Sequence, residues 1–201
     1  MGSCFDSLAA GRPAHTLVIV PSVETPRLTL RLPEMQDAGP MLEIHQDPAV
    51  VKYVLMGNAQ GGLTAAWRSV AMMVGHWHLR GYGQWTVVDR ASGAVVGRVG
   101  LWYPEGWPGV ELGWIIRRER WGEGLATEAA EAALNWSWDH VDTDHIISII
   151  QPDNLRSIRV AEKIGESFER SELVTGAPGG YRPDVTRRRK RGRPSSSASR
   201  A

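Results

Sequence analysis

The sequence predicts an α+β fold: a mixed, mainly antiparallel central sheet flanked by helices. Three observations carry that prediction. Three strand-like runs follow one another between residues 84 and 117, separated only by turns. A glycine turn, Trp121-Gly122-Glu123-Gly124, then opens a long helical stretch that ends near Asp139. Beyond it, His145-Ile146-Ile147-Ser148-Ile149-Ile150 is almost wholly apolar, as expected of a strand covered on both faces.

In chain order, residues 1–22 read as an extension ending at Pro21. From Glu24 to Arg31, leucines alternate with polar residues, the period of a half-buried strand. Pro33-Glu34 opens a helical region through His45, with Met35, Met41, Leu42 and Ile44 as its apolar positions, and Asp47-Pro48 breaks it. Thr64 is placed to cap a second helix over about 64–80, with Trp67, Val70, Ala71, Val74 and Trp77 on one face. His76 and His78 stand two apart and point to different sides of that helix, so they make no metal pair. Residues 84–89 and 94–102 form a hairpin, and Val110 to Arg117 returns as a third strand.

In the long helix, Leu125, Ala129, Ala132 or Ala133, and Trp136 mark a buried stripe. After the apolar strand, Asn154 caps a helix carrying Leu155, Ile158, Ala161 and Ile164, which Gly165 closes. Glu166 to Val174 reads as a further strand. From residue 177 on, glycine, proline, serine and arginine dominate, and the composition predicts a disordered tail.

Bulk properties exclude several classes. The single cysteine, Cys4, rules out an internal disulfide and points to a reducing cytoplasm. No apolar run is long enough to span a membrane, and no signal peptide is evident. Net charge is +1, yet residues 187–201 hold seven basic residues and no acid; subtracting them leaves residues 1–186 at −6. Such a body is a poor general binder of nucleic acid. Lys190-Arg191-Gly192-Arg193-Pro194 does carry the Arg-Gly-Arg-Pro core of a minor-groove hook, but within a low-complexity tail.

The chemistry concentrates between residues 111 and 127. Two glycines one residue apart let a ligand approach the backbone closely, and the helix that follows offers unpaired N–H groups and the positive end of its dipole. That is a recipe for holding a phosphate or pyrophosphate. It is neither a P-loop, since no lysine follows Gly124, nor a dinucleotide fingerprint, whose third glycine is replaced by Thr127. In the preceding strand, Gly113 beside Glu111 leaves an open spot next to a carboxylate, which is placed to accept a proton from an amine.

The element order, together with Glu24 to Arg31, Glu111-Leu112-Gly113-Trp114, Trp121 to Ala129, and Asn154 through Ser157 to Gly165, resembles the GNAT superfamily of acyl-CoA-dependent N-acetyltransferases. Within it the chain is most similar to the branch of ribosomal-protein N-terminal acetyltransferases, over roughly residues 24–174. The resemblance implies a domain over residues 23–176 that uses acetyl-CoA as acyl donor and an amine or peptide N-terminus as acceptor, as a monomer or homodimer, with no metal. It implies that backbone at Ile115, Ile116 and Arg117 pairs with the pantetheine arm. The amides of Trp121, Gly122, Glu123, Gly124, Leu125, Ala126 and Thr127 would hold the pyrophosphate, and Asn154 would bond the pantetheine or nearby backbone. Glu111 would be the base. Many members carry a tyrosine seven residues after the asparagine; here that position is Ala161, and Ser157 is the nearest hydroxyl to support the leaving thiolate. A GNAT-shaped domain without catalysis is the alternative that Ala161 leaves open. The helices and loop of residues 45–80 would shape the acceptor side, where Trp67, Trp77, Trp85 and Trp102 serve as lining or as core.

Overall fold

A computed structural model describes residues 20–54, 61–171 and 184–189. Its centre is an eight-stranded sheet in the order β1-β2-β3-β4-β5-β6-β8-β7. The strands are β1 (Val23–Glu24), β2 (Leu28–Arg31), β3 (Gln84–Asp89), β4 (Val95–Trp102), β5 (Glu111–Ile116), β6 (His145–Ile150), β7 (Ser167–Ser171) and β8 (Asp184–Arg189). Every neighbouring pair is antiparallel except β5 and β6. That parallel pair joins at a single register point, Glu111 opposite Ile147. Beyond it the two strands part.

The helices are α1 (Ala38–Gln46), α2 (Pro48–Val51), α3 (Gly62–Arg80), α4 (Leu125–His140) and α5 (Leu155–Lys163). The principal core gathers Leu28, Leu30, Trp85, Val87, Leu101, Leu112 and Ile116 of the sheet with Leu125, Ala129, Ala133 and Leu134 of α4. The alanines let α4 lie close to the strands. Trp77, Trp85 and Trp136 meet edge to face at 4.8–5.5 Å, so much of the tryptophan content is core.

Several boundaries differ from expectation. Residues 20–22 belong to the domain: Trp85 Nε1 donates to the Pro21 carbonyl at 2.9 Å and Val20 packs on the core. Residues 1–19, Cys4 included, lie outside the described residues. Asp47-Pro48 ends α1 but also starts α2, because Asp47 accepts from the Ala49 amide and Pro48 fills a position that needs no N–H. The cap of α3 is Gly61, so Thr64 lies inside the helix. The buried face of α3 is Ala66, Val70, Met73, His76 and Trp77, whereas Trp67 is half exposed and Ala71 faces solvent.

The largest correction concerns the tail. Residues 184–189 form a strand inserted between β6 and β7, despite the glycine and proline before it. Backbone pairing on both sides outweighs the poor local composition. Thr186 is buried there, and Arg188 donates to the Ile164 carbonyl. Part of the arginine run thus belongs to the sheet. Residues 190–194, which hold the minor-groove-like motif, lie outside the described residues, as do 172–183.

A side-chain seam holds β5 and β6 where their backbones diverge. Ser148 Oγ donates to the Leu112 carbonyl at 2.8 Å and lies 3.0 Å from Glu166 Oε1, while Thr186 donates to Glu166 Oε2. One hydroxyl proton cannot serve both Leu112 and Glu166. A proton on Glu166 resolves this, since the acid then donates to Ser148. Burial pushes that carboxyl up to about 7, in keeping with the proton it needs.

Candidate active site

The gap between β5 and β6 opens into a cavity of about 440 Å³ walled by α2, α3, β4, the 118–127 loop and α5. Ala49, Val50, Tyr53, Ser69 and Met72 give one wall, so residues 45–80 do border it. The loop side comes first. A short 3-10 turn, Arg118–Arg120, leads to Gly122 at φ 87° and Gly124 at φ 79°, both in the left-handed region that a side chain resists. Gly124 is the cap of α4 and brings no side chain to bond the first-turn amides. Among the described residues, the amides of Gly122, Glu123, Gly124, Leu125, Ala126 and Thr127 donate to no protein acceptor. They stand together at the positive end of a 16-residue helix.

The loop is braced from below. Arg120 pairs with Glu123 at 2.8 Å and with Asp89 at 3.1 Å, and Arg27 bonds both the Glu123 carbonyl and Glu128. The Glu123 side chain therefore serves the brace and is absent from the cavity wall. Across the opening, Arg156, Arg159 and Lys163 of α5 also line the cavity, and Arg156 sits over the Trp121 ring at 4.8 Å. Spaced three and four residues apart, they form one cationic helix face that sequence periodicity had not singled out.

Three expected backbone contacts change. The Trp121 amide donates to the Arg118 carbonyl at 3.1 Å, so it is spent inside the turn. The Arg117 amide donates to Val96 of β4 at 2.8 Å, and its side chain pairs with Glu43 and Glu119 outside the cavity. Backbone direction alternates along a strand, so Ile115 also turns its polar groups to β4, its register partner there being Arg98. The even-numbered residues face the gap: Val110 O accepts from Ile147, Leu112 O from Ser148, and Ile116 O from Trp121 Nε1 at 2.6 Å. Trp114 and the amide of Ile116 are thus the backbone presented to the opening, and Ile115 contributes its side chain to the wall.

On the other side of the opening stands Glu111. Trp107 Nε1 donates to its Oε2 at 2.7 Å, and the nearby Ile149 backbone also favours the charged form. Oε1 points over Gly113: a Cβ built there would meet Glu111 Oε1 at 3.8 Å and Gln84 Nε2 at 3.7 Å. The glycine keeps that spot open. Burial pushes the Glu111 carboxyl up to about 7, against the pull of Trp107 and Arg98, with Glu166 adding a further upward push. A carboxylate titrating near neutrality is matched to proton abstraction at physiological pH.

Gln84, Arg98 and Trp107 were missed by sequence reading. The first two sit on separate strands and meet only through the sheet register, Arg98 donating to Gln84 Oε1. Of the four tryptophans weighed for the acceptor wall, only Trp102 lines the cavity; Trp77 and Trp85 are core and Trp67 faces solvent. Asn154 and Ser157 both line it. Asn154 Oδ1 accepts from the Ser157 amide at 3.3 Å as the cap of α5, and the Ser157 hydroxyl has no protein partner among the described residues.

The chain belongs to the GNAT acetyltransferases: the model of the acetyltransferase (GNAT) domain family matches residues 27–167. Among curated relatives, it is 31% identical over 156 residues to the uncharacterized protein YkkB of Bacillus subtilis (strain 168), covering 73% of this chain and 86% of that one. Among solved structures, an acetyltransferase from Agrobacterium tumefaciens str. C58 superposes with a TM-score of 0.70 at 25% identity, over 90% of this chain and 100% of that one. RimL, a ribosomal L7/L12 alpha-N-protein acetyltransferase solved in complex with coenzyme A, superposes with a TM-score of 0.71 over 84% of this chain and 98% of that one. At 14% identity it shares the fold. The fold expected from sequence, an α+β sheet with flanking helices, is the one these structures share. No helix among the described residues is long and apolar enough to cross a membrane.

Proposed function

We propose that the protein is an N-acetyltransferase that moves the acetyl group of acetyl-CoA to a primary amine, a peptide N-terminus or a small amine, by direct attack. The observation that carries this reading is the set of unpaired amides from Gly122 to Thr127, at the positive end of α4 and beside the gap between β5 and β6. Those amides would hold the pyrophosphate of coenzyme A, with Arg156, Arg159 and Lys163 supplying charge from α5. The pantetheine arm would enter the gap as an added strand against Trp114 and Ile116. Asn154 would act by capping α5 and so fixing Ser157 in the wall. RimL, which shares the fold, was solved in complex with coenzyme A, and that supports coenzyme A as the ligand.

In the reaction, the amine nitrogen bonds the thioester carbonyl carbon and the carbon–sulfur bond breaks. The proton shed by the amine goes to Glu111 Oε1, directly or through a water, and the thiolate leaves as coenzyme A after gaining a proton. Trp107 orients Glu111 by holding Oε2. Ser157, which lines the cavity, would donate to the departing sulfur in the role that Ala161 cannot fill. Thermal shift with acetyl-CoA, followed by thiol release against a panel of primary amines, tests this reading. It predicts stabilisation by acetyl-CoA and amine-dependent release of the free thiol. A protein unmoved by acetyl-CoA contradicts it.

A further inference from the structure

The acceptor side of the cavity holds a cation that the fold does not use. Arg98 lines the cavity on β4 and makes one side-chain bond, from Nη1 to Gln84 Oε1. Its Nε is sealed from solvent and has no hydrogen-bond partner among the described residues. No carboxylate of the described residues lies within ion-pair distance of it. Burial pulls its guanidinium down to about 10, partly offset by the field of Glu111. A part-buried guanidinium with no ion-pair partner is costly unless the site is built to receive an anion.

The neighbours narrow the ligand. His45 of α1 also feels the charge of Arg98; burial and that charge pull its imidazole down to about 4, so it stays neutral and adds no second cation. Arg120, Arg156, Arg159 and Lys163 lie on the loop and α5 side, with the proposed cofactor. Among the described residues the acceptor side therefore offers one cation, Arg98, and one base, Glu111, with the spot kept open by Gly113 and the amide of Gln84 between them. A phosphate dianion would be left with excess charge beside Glu111. A single carboxylate balances Arg98, and a guanidinium offers it two parallel donors.

Building on the acetyltransferase reading, we infer that the acceptor is an amino-carboxylate, a small molecule bearing both a primary amine and a free carboxylate, with its amine at Glu111 and its carboxylate at Arg98. Such a zwitterion complements the pair. A peptide N-terminus or a plain alkylamine leaves Arg98 unmatched. Gln84 holds the guanidinium toward the cavity and presents Nε2 beside the path from Glu111.

The test compares amino acids with their carboxamides and with the corresponding decarboxylated amines, using saturating acetyl-CoA and thiol release as readout. Wild-type protein is expected to favour the free acids by about 10- to 100-fold in kcat/KM. Arg98→Met is expected to lower that ratio toward one while leaving acetyl-CoA affinity, read by calorimetry, unchanged. Arg98→Lys, which keeps the charge and loses the fork, is expected to fall between. Equal or better use of the carboxamides and plain amines by the wild type overturns the inference and leaves the acetyltransferase reading standing; that arm needs no variant. A ratio that survives in Arg98→Met also overturns it. Absence of acetyl-CoA binding, with no amine turned over, overturns the acetyltransferase reading and this inference with it.

Discussion

The two sides of the cavity are built from different materials. The loop side presents main chain: six amides gathered by two left-handed glycines and the start of α4. The acceptor side presents side chains, Gln84, Arg98, Trp107 and Glu111, brought together from three strands and a turn. Main-chain recognition suits a ligand that stays the same, because its geometry depends on a short local segment. Side-chain recognition can be altered one residue at a time without disturbing the fold. The difference predicts that substitutions will separate cleanly into those that weaken cofactor affinity and those that change turnover or acceptor choice.

Glu111→Gln is the largest break to attempt. Removing the proposed base should lower kcat by about 10²- to 10⁴-fold, while calorimetry finds acetyl-CoA affinity unchanged. A parallel loss of affinity would mean that the two sides are not separable. Gly124→Val should do the reverse. A side chain at φ 79° costs ~1–2 kcal/mol, and the amides it displaces are those proposed to hold the cofactor. Affinity for acetyl-CoA is expected to fall about tenfold, with acceptor preference retained.

A smaller effect lies in pH. The rate should rise as Glu111 loses its proton around 7 and level off above it. Because Glu166 pushes on Glu111, the profile belongs to the pair, and Glu166→Gln should move its midpoint downward. Glu111→Gln should abolish the rise.

The seam beneath the gap gives the smallest signal, one of stability. The Glu166 carboxyl is raised from 4.5 to about 7 in the fold, so the native state holds a proton that the unfolded chain has released. Its contribution is complete below about 4.5 and is lost as pH rises through 7. Glu166→Gln keeps a donor for Ser148 and an acceptor for Thr186. Denaturant midpoints of that variant should vary less between pH 4.5 and 7 than those of the wild type.

What the sequence disclosed follows the same division. Gly122, Gly124 and Asn154 were legible because each acts within a few residues of itself, through a turn or a cap. Glu111 was legible because Gly113 stands two residues away on the same strand. Arg98 and Gln84 carried no local mark; their meeting depends on a register that shifts at Val87/Val88. Ile115 and Arg117 turn their backbone to β4 rather than to the gap; alternation is visible in sequence but which edge faces the gap is not. The strand at 184–189 was hidden by its arginines, which usually read as a solvated run, and its partners in β6 and β7 lie 34–44 and 13–20 residues earlier.

The most direct measurement is a titration of ¹⁵N-labelled protein with coenzyme A, followed at the backbone amides. The account predicts that Gly122, Gly124, Leu125, Ala126 and Thr127 shift strongly, while Gly93 and Gly106, turn glycines with similar φ elsewhere in the chain, do not move. Binding that leaves the Gly122–Thr127 amides untouched, or no binding at all, would contradict it.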